Sequence, residues 1–342
     1  MQSYINGQIH DILLKARKPV FISDRRIDGD SLGSALALVD YMKQHNVNIP
    51  VFVPEPVPDQ YRKLPHVDNC VTDKKVFDDS NIDLVVVFDC SEEAYVHELL
   101  ANCSSSPFVI NIDHHVTNTR YGDMNLVVTD APATAFLIYQ FFRSNNLIPS
   151  KHAATALLTG ICFDTNMFSN SATDQKSLDA ASDLLMSGAR AQDVIRSMYR
   201  NKSVQALRMW GMALERIIIH SKIDAASTCI KRDDLKKTGV TDEEIGGLSN
   251  FLSLVLSTKT IFVLKETMDT CVSVSMRSSV YDVGDFAKTC GGGGHCRAAG
   301  FTIPNSKITC GENGDWEVVD SNGKVVLCEN SINEYEFSKL SN

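Results

Sequence analysis

The chain has 342 residues, a formal net charge of −9, and 44% hydrophobic and 22% charged residues, which excludes a disordered chain and fits two globular domains. The acidic balance speaks against a long nucleic-acid track, which needs a basic face, and leaves small phosphate-bearing ligands open where metal ions reverse the local field. Met1 to Val20 has no apolar signal core and no run of eighteen apolar residues occurs, so a cytoplasmic protein without a membrane span is expected.

Residues 19–23 (PVFIS) read as a buried strand and residues 32–44 as a buried helix. Residues 49–53 are a second strand, residues 84–88 (LVVVF) a third with the all-apolar pattern of a central parallel strand, and residues 108–112 (FVINI) a fourth. Residues 133–143 and 152–163 are helical. Strands alternating with helices predict a mostly parallel, doubly wound α/β sheet, with ligands at the carboxyl ends of the strands. A helical stretch from Ser177 to about Ile219 follows, with the polar residues 200–203 as a hinge.

Beyond it the pattern changes. Residues 225–231 read as a strand, and residues 241–256 as a helix capped by Thr241 with Glu244 completing a capping box. Residues 260–264 and 270–276 read as paired strands, and residues 282–289 as a short helix running into glycines 291–294. This is a second, smaller α/β domain, followed from Asn305 by turns and short strands. The domain boundaries so read are 1–190, a helical linker over 191–220, a second domain over 221–304 and an extension of unassigned role over 305–342. The ten cysteines contain no CxxC pair, so reduced, mostly buried thiols are expected and a structural zinc site is not.

Candidate chemistry clusters where apolar elements end. After residues 19–23 come Asp24, Asp28, Gly29 and Asp30. In extended chain Asp28 and Asp30 would point the same way, and Gly29 allows a sharp turn between them. Such a pair is also a common helix-capping turn. Asp89 follows residues 84–88, Asp113-His114-His115 follow residues 108–112, and Asp164 follows the helix holding Leu157 and Ile161. The end of a buried element is a costly place for an uncompensated carboxylate. Six carboxylates and two histidines at one rim are best explained by divalent metal, with Mn²⁺ or Mg²⁺ suiting carboxylate with imidazole.

The ordered set Asp28-Gly29-Asp30, Asp89, Asp113-His114-His115 and Asp164 resembles the DHH phosphoesterase family, named for its Asp-His-His motif. The second domain resembles the DHH-associated domain, through Ser275-Met276-Arg277-Ser278 and the run from Gly291 to Gly300. The resemblance covers about residues 15–303, and the layout is similar to that of small stand-alone members: oligoribonucleases that degrade nanoRNA, dephosphorylate pAp and cleave linear or cyclic dinucleotides. It implies a catalytic domain followed by a substrate-binding domain, and a two-metal phosphodiesterase or phosphatase that releases mononucleotides. It implies one metal on Asp24, Asp28 and Asp89 and another on Asp30, Asp89, His114 and Asp164, with Asp89 bridging. His115, Asp89 and Asp113 are the implied catalytic residues, His115 facing the substrate phosphate. Arg277, Ser278, Gly292, Gly293, Gly294, His295 and Arg297 are the implied substrate contacts. The cofactor is expected to be two divalent ions, Mn²⁺ first and Mg²⁺ second. The partner is expected to be a small nucleotide or short oligonucleotide, with no long nucleic acid and no membrane, and the chain could form a homodimer.

Two positions depart from the family pattern. Asp24 stands where a histidine ligand is usual, and Phe136 where relatives often carry an acid. Asp24 opens an alternative, a nucleotide-binding or regulatory protein impaired in catalysis. An inorganic pyrophosphatase is a further alternative that lacks the GGGGH run. The glycines at 291–294 themselves read either as a flexible linker or as a backbone concavity for an anion.

Overall fold

The computed structural model describes residues 2–328 apart from 102, 200, 201, 222, 242, 243, 268, 269 and 311–315, and of His295 only the backbone. The chain divides into two units, Met1–Asn201 and Lys202–Asn342.

The first unit runs α1 (Gln2–Lys15), β1 (Pro19–Ile22), α2 (Gly29–Gln44), β2 (Val51–Phe52), β3 (Cys70–Val71), β4 (Leu84–Phe88), α3 (Glu93–Leu100), β5 (Phe108–Asp113) and β6 (Met124–Val127). It closes with α4 (Thr134–Ser144), α5 (Lys151–Asp164), α6 (Gln175–Met186) and α7 (Ala191–Tyr199). The strands form one six-stranded parallel sheet in the order β3-β2-β1-β4-β5-β6. The chain therefore builds outward from β1 on one side and from β4 on the other. The loops after these two neighbours diverge and leave a crevice at their carboxyl ends.

Both faces of the sheet are covered, which is why β4 is apolar at every position. Leu84, Val86 and Phe88 face the core shared with α2, α4 and α5, while Val85 and Val87 face the core that α3 closes. Each such side chain contributes about 1.5–3 kcal/mol on burial. On the first face α2, α4 and α5 meet almost backbone to backbone. A Cβ on Gly33 would stand 2.4 Å from the Ala156 carbonyl oxygen, and one on Gly160 would stand 2.5 Å from Ala135 Cβ and 2.8 Å from Asp30 Oδ1. These contacts bring the start of α2, the start of α4 and the end of α5 to one corner.

The sequence reading of this unit leaves out α1, α3, β3 and β6, whose apolar patterns are short or diluted by polar residues. The helical stretch from Ser177 is broken: Gly188 has φ 92 after α6, α7 stands alone, and Ile219 lies on a strand. The unit boundary falls within the predicted hinge, of which Arg200 and Asn201 lie outside the described residues. Val194 of α7 joins the first unit's core.

The second unit runs α8 (Val204–Glu215), β7 (Ile218–His220), β8 (Ala225–Ile230), α9 (Arg232–Thr238), α10 (Leu248–Val255), β9 (Thr260–Glu266), β10 (Val272–Ser278), α11 (Val283–Thr289), β11 (Gly293–His295) and β12 (Ala298–Ile303). Then come β13 (Ser306–Cys310), β14 (Trp316–Asp320) and β15 (Val325–Cys328), which form their own antiparallel sheet. The main sheet has the order β11-β12-β10-β9-β8-β7 and is antiparallel except for the β8–β9 pair. The capping-box bonds between Thr241 and Glu244 form, at 2.9 and 3.4 Å, but Gly247 at φ 92 interrupts the turn and α10 starts only at Leu248. Residues 242 and 243 of that predicted helix lie outside the described residues.

The segment after 305 is built into this unit. Ile308, Trp316 and Val318 are in its core, and the Trp316 indole donates to Ser227 Oγ at 2.7 Å. Residues 311–315 and 329–342 of the extension lie outside the described residues. The expectation of mostly buried thiols is corrected. None of the ten cysteines is in a disulfide, but only Cys90, Cys162 and Cys229 are buried, because most of the others sit near surface turns or on edge strands.

Candidate metal centre

The candidate residues of the first unit converge at the crevice between β1 and β4. Asp28 and Asp30 do not sit in extended chain. Asp28 is the N-cap of α2, its Oδ1 accepting from Asp30 N at 3.0 Å and Ser31 N at 2.9 Å. The capping turn and the acidic cluster are thus the same structure. Asp30 lies in the first helical turn and is fully buried. The start of α4 meets it there. First-turn amides have no helical partner, and Thr134 N and Ala135 N donate to Asp30 Oδ2 and Oδ1 at 2.6 and 2.8 Å.

Asp89 follows β4 with φ 61, which turns the chain out of the strand. Its carboxylate is 3% exposed and accepts the Thr134 hydroxyl at 2.8 Å. Thr134 therefore touches two of the candidate acids, one through its amide and one through its hydroxyl. The sequence reading did not single it out, although a hydroxyl residue at the start of a predicted helix is the available signal.

His114 is the hub. Its Nδ1 lies 3.1 Å from the Ala131 carbonyl oxygen, which fixes the ring proton on that side. Its Nε2 faces Asp164 Oδ2 at 2.9 Å, Asp89 Oδ1 at 3.5 Å and Asp30 Oδ2 at 4.0 Å. Asp113 is committed elsewhere. Its Oδ1 accepts His114 N, His115 N and His115 Nδ1 at 2.7, 3.1 and 2.7 Å, and its Oδ2 accepts Asn118 Nδ2 at 2.5 Å. It fixes the His115 ring rather than facing the acids. His115 Nδ1 is also 3.6 Å from Asp89 Oδ1.

Electrostatics separate these groups. Burial first, then the charge of Asp164, pushes Asp30 up to about 8 and Asp28 up to about 7. Burial and the charges of Asp30 and Asp28 carry Asp89 well above the usual carboxylate range. Burial opposes protonation of His114, but its bond to Asp164 and the surrounding carboxylates outweigh this and raise it to about 10. Asp113 goes the other way, held low against its burial by the His115 and Asn118 bonds. So many buried acids converging on one imidazole nitrogen fit a divalent cation. The donors Asp30, His114 and Asp164 lie within 4.8 Å of one another, as do Asp89, His114 and His115, so either group could hold a metal ion.

Asp24 and Asp28 lie outside both groups. Asp24 Oδ2 accepts Arg26 N at 3.0 Å, and Arg25 reaches Glu92 at 3.5 Å on the surface. Phe136 is buried in the core against Tyr139 and brings no charge.

In the second unit Arg277 is held by Asn250, Nε to Oδ1 at 2.7 Å, and by the Met276 carbonyl oxygen at 2.7 Å. Burial lowers it to about 10. Arg297 is half-buried. Ser278 is buried, and its hydroxyl accepts the amides of Val280 and Tyr281 and donates to the Lys259 carbonyl oxygen, organising a turn. The second half of the glycine run is a strand, since Gly293 pairs with Gly300 and Gly294 with Ala299, while Gly291 and Gly292 form the turn that leads into it. A Cβ on Gly292 would stand 2.2 Å from the Gly300 carbonyl oxygen, and Gly294 has φ 137. The side chain of His295 lies outside the described residues.

Residues 19–161 match the DHH family N-terminal domain, and residues 222–314 match the DHHA1 domain. A bifunctional oligoribonuclease and PAP phosphatase NrnA from Bacillus subtilis is 26% identical over 285 residues, covering 81% of this chain and 87% of that protein. An exopolyphosphatase-related protein from Bacteroides fragilis superposes with a TM-score of 0.79 at 21% identity, covering 87% of this chain and 90% of its own. RecJ from Thermus thermophilus, solved in complex with Mn²⁺, superposes with a TM-score of 0.50 at 14% identity, covering 88% of this chain and 52% of its own. Both structural likenesses show the fold. No helix among the described residues is long and apolar enough to cross a membrane.

Proposed function

The chain belongs to the DHH family, a DHH domain followed by a DHHA1 domain, and from that premise we propose that it is a metal-dependent phosphoesterase hydrolysing short nucleotides: nanoRNA, linear or cyclic dinucleotides and pAp. The observation that carries this reading is the convergence of Asp30, Asp89 and Asp164 on His114 Nε2 at the sheet crevice. The name of the Bacillus subtilis relative supports the substrate class.

Asp30, Asp89, His114 and Asp164 would hold one divalent ion, and Asp89 with Asp28 and Asp24 a second, Mn²⁺ being the leading candidate. Bound there, such ions polarise a phosphoryl oxygen and lower the pKa of a water nucleophile. The chain's own residues supply the rest. Asp113 accepts the His115 Nδ1 proton and leaves Nε2 to meet the substrate. Burial disfavours the charged His115 ring, but Asp113 raises its pKa above the ordinary value, which favours the form whose Nε2–H would donate to a phosphate oxygen or to the leaving oxygen. Thr134 and the α4 amides orient the carboxylates of Asp30 and Asp89. In the second unit, Arg277 is preset by Asn250 as a fork for a phosphate or a stacking plane for a base.

A second reading rests on Asp24, which bonds its own loop and stands apart from both ligand groups. In that reading the chain binds nucleotide and does not turn it over. The test is release of AMP from pApA and of phosphate from pAp with Mn²⁺, for wild type, Asp164→Ala and Asp24→His. Turnover by wild type and not by Asp164→Ala upholds the phosphoesterase. A dead wild type that Asp24→His revives establishes the binding protein.

A further inference from the structure

Away from the crevice, Asp40, His66 and His152 bring a carboxylate oxygen and two ring nitrogens within 4.8 Å of one another. We propose that these three residues form a separate site for a borderline transition-metal ion of the Zn²⁺ class.

Asp40 lies ten residues along α2 from Asp30, about 15 Å at the helical rise, so this group and the candidate metal centre share no ligand. Asp40 is 7% exposed and its two oxygens have different partners. Oδ2 accepts the Ser150 hydroxyl at 2.6 Å and the Gln44 amide at 3.2 Å. Oδ1 faces His66 Nε2 at 2.6 Å. This is the arrangement expected of a ligating carboxylate, one oxygen anchored by surrounding donors and the other aimed at the site. The rings of His66 and His152 stand 5.7 Å apart, both half-buried. Ser150 caps α5, its hydroxyl also accepting the amides of His152 and Ala153 at 3.0 and 3.3 Å, so one residue places both Asp40 and His152.

Donor chemistry sets the class of ion. Two imidazoles and one carboxylate suit a tetrahedral ion completed by water, and along the divalent series such a set favours Zn²⁺ over Mn²⁺. Hard ions prefer the acid-rich group around Asp30.

Lys43 is the built-in competitor. Its ammonium donates to His66 Nδ1 at 3.1 Å and to Asn69 Oδ1 at 2.8 Å. With Nδ1 accepting, Nε2 carries the proton given to Asp40. An ion on Nε2 moves that proton to Nδ1, and Lys43 must then turn away and keep Asn69 alone. The exchange is a tautomer shift with no net loss of a proton, and Lys43 lowers the affinity without blocking the site. Occupation would tie the end of α2 to the start of α5.

The test is Zn²⁺ calorimetry on the full metal-stripped chain. Wild type should bind one equivalent more than His152→Ala and than His66→Gln, and Lys43→Met should bind that extra equivalent about tenfold more tightly. Melting curves in chelator show whether the variants fold. In wild type Zn²⁺ should raise the melting temperature by more than it does in His152→Ala. Equal stoichiometry in wild type and folded histidine variants would overturn the proposal. So would a Lys43→Met variant, its ligands intact, whose Zn²⁺ isotherm matches wild type.

Discussion

Thr134→Val isolates the contact that joins two candidate ligands. Valine keeps the branched shape, the volume and the backbone amide that donates to Asp30, and removes only the 2.8 Å bond from Oγ1 to Asp89 Oδ1. Asp89 is 3% exposed, so water does not replace the lost donor. A hydrogen bond to a charged group is worth about 1.5–3 kcal/mol, and at 1.4 kcal/mol per factor of ten this is about 10–100-fold in metal affinity. The assay is Mn²⁺ titration followed by electron paramagnetic resonance, with pApA hydrolysis over a range of Mn²⁺. Thr134→Val should need about 10–100-fold more Mn²⁺ and regain most of its rate at saturation, and Thr134→Ser should behave as wild type. Wild-type affinity in Thr134→Val would refute the reasoning. Failure of Thr134→Ser to rescue would move the effect from the hydroxyl to the shape of the side chain.

Asp113→Asn should lower kcat by about 10²–10⁴-fold with Mn²⁺ affinity little changed, because it unfixes His115; steady-state kinetics beside a Mn²⁺ titration checks both halves. Gly33→Ala should destabilise the chain by about 1–3 kcal/mol, since its methyl meets the Ala156 carbonyl at 2.4 Å, and an unchanged melting curve would deny that contact. Asp234→Asn should cost about 1–3 kcal/mol at pH 7, as burial opposes the Asp234 charge but the partly exposed Arg216 holds it below its ordinary value. That stability is fully present above the unfolded carboxyl pKa of about 3.9 and fades as pH falls through the lowered folded value, so the gap between the urea curves of wild type and variant should be full above pH about 4 and close as pH falls below it; a gap that stays constant into acid would refute it.

The first unit was legible because a two-sided sheet writes itself into its strands. Leu84–Phe88 must be apolar at every position, and its length and position followed directly. The candidate site stood out for a related reason, since so many acids and histidines where buried elements end exceed what helix caps alone would need. Other features were not legible, each for a physical cause. Sequence spacing suggested a shared direction for Asp28 and Asp30, but α2 begins at Gly29 and splits them into a cap and a first-turn residue. Asp113 reads the same as Asp89 in sequence, and only the strand end shows it turned inward to His115 and Asn118. The glycine run reads as a backbone concavity in preference to a linker, and its pairing with β12 through Gly293 and Gly294 was not legible because glycine carries no side-chain pattern. Thr134 was missed because its partners lie 104 and 45 residues away.

One balance inside the site settles what metal removal should do. Asp30 receives two helix-terminal amides, which by themselves would lower its pKa, yet it rises to about 8 because burial and the Asp164 charge outweigh them. Asp28, at about 7, follows the same order of causes. A carboxyl raised on folding stabilises the fold below its unfolded value near 4, and the advantage is lost as pH rises through the folded value. His114, raised to about 10 chiefly by Asp164 against its burial, also loses its contribution as pH rises, from above its unfolded value near 6.5 to its folded one. The two effects have the same sign, so the chelated protein should melt at steadily lower temperature from pH about 5 to about 9. Divalent ions supply the positive charge that the protons supplied, so Mn²⁺ should flatten that slope and raise the melting temperature most at the alkaline end. A chelated protein whose melting temperature does not fall over that range, or one that Mn²⁺ stabilises equally at every pH, would show that these carboxylates are compensated by groups other than a cation.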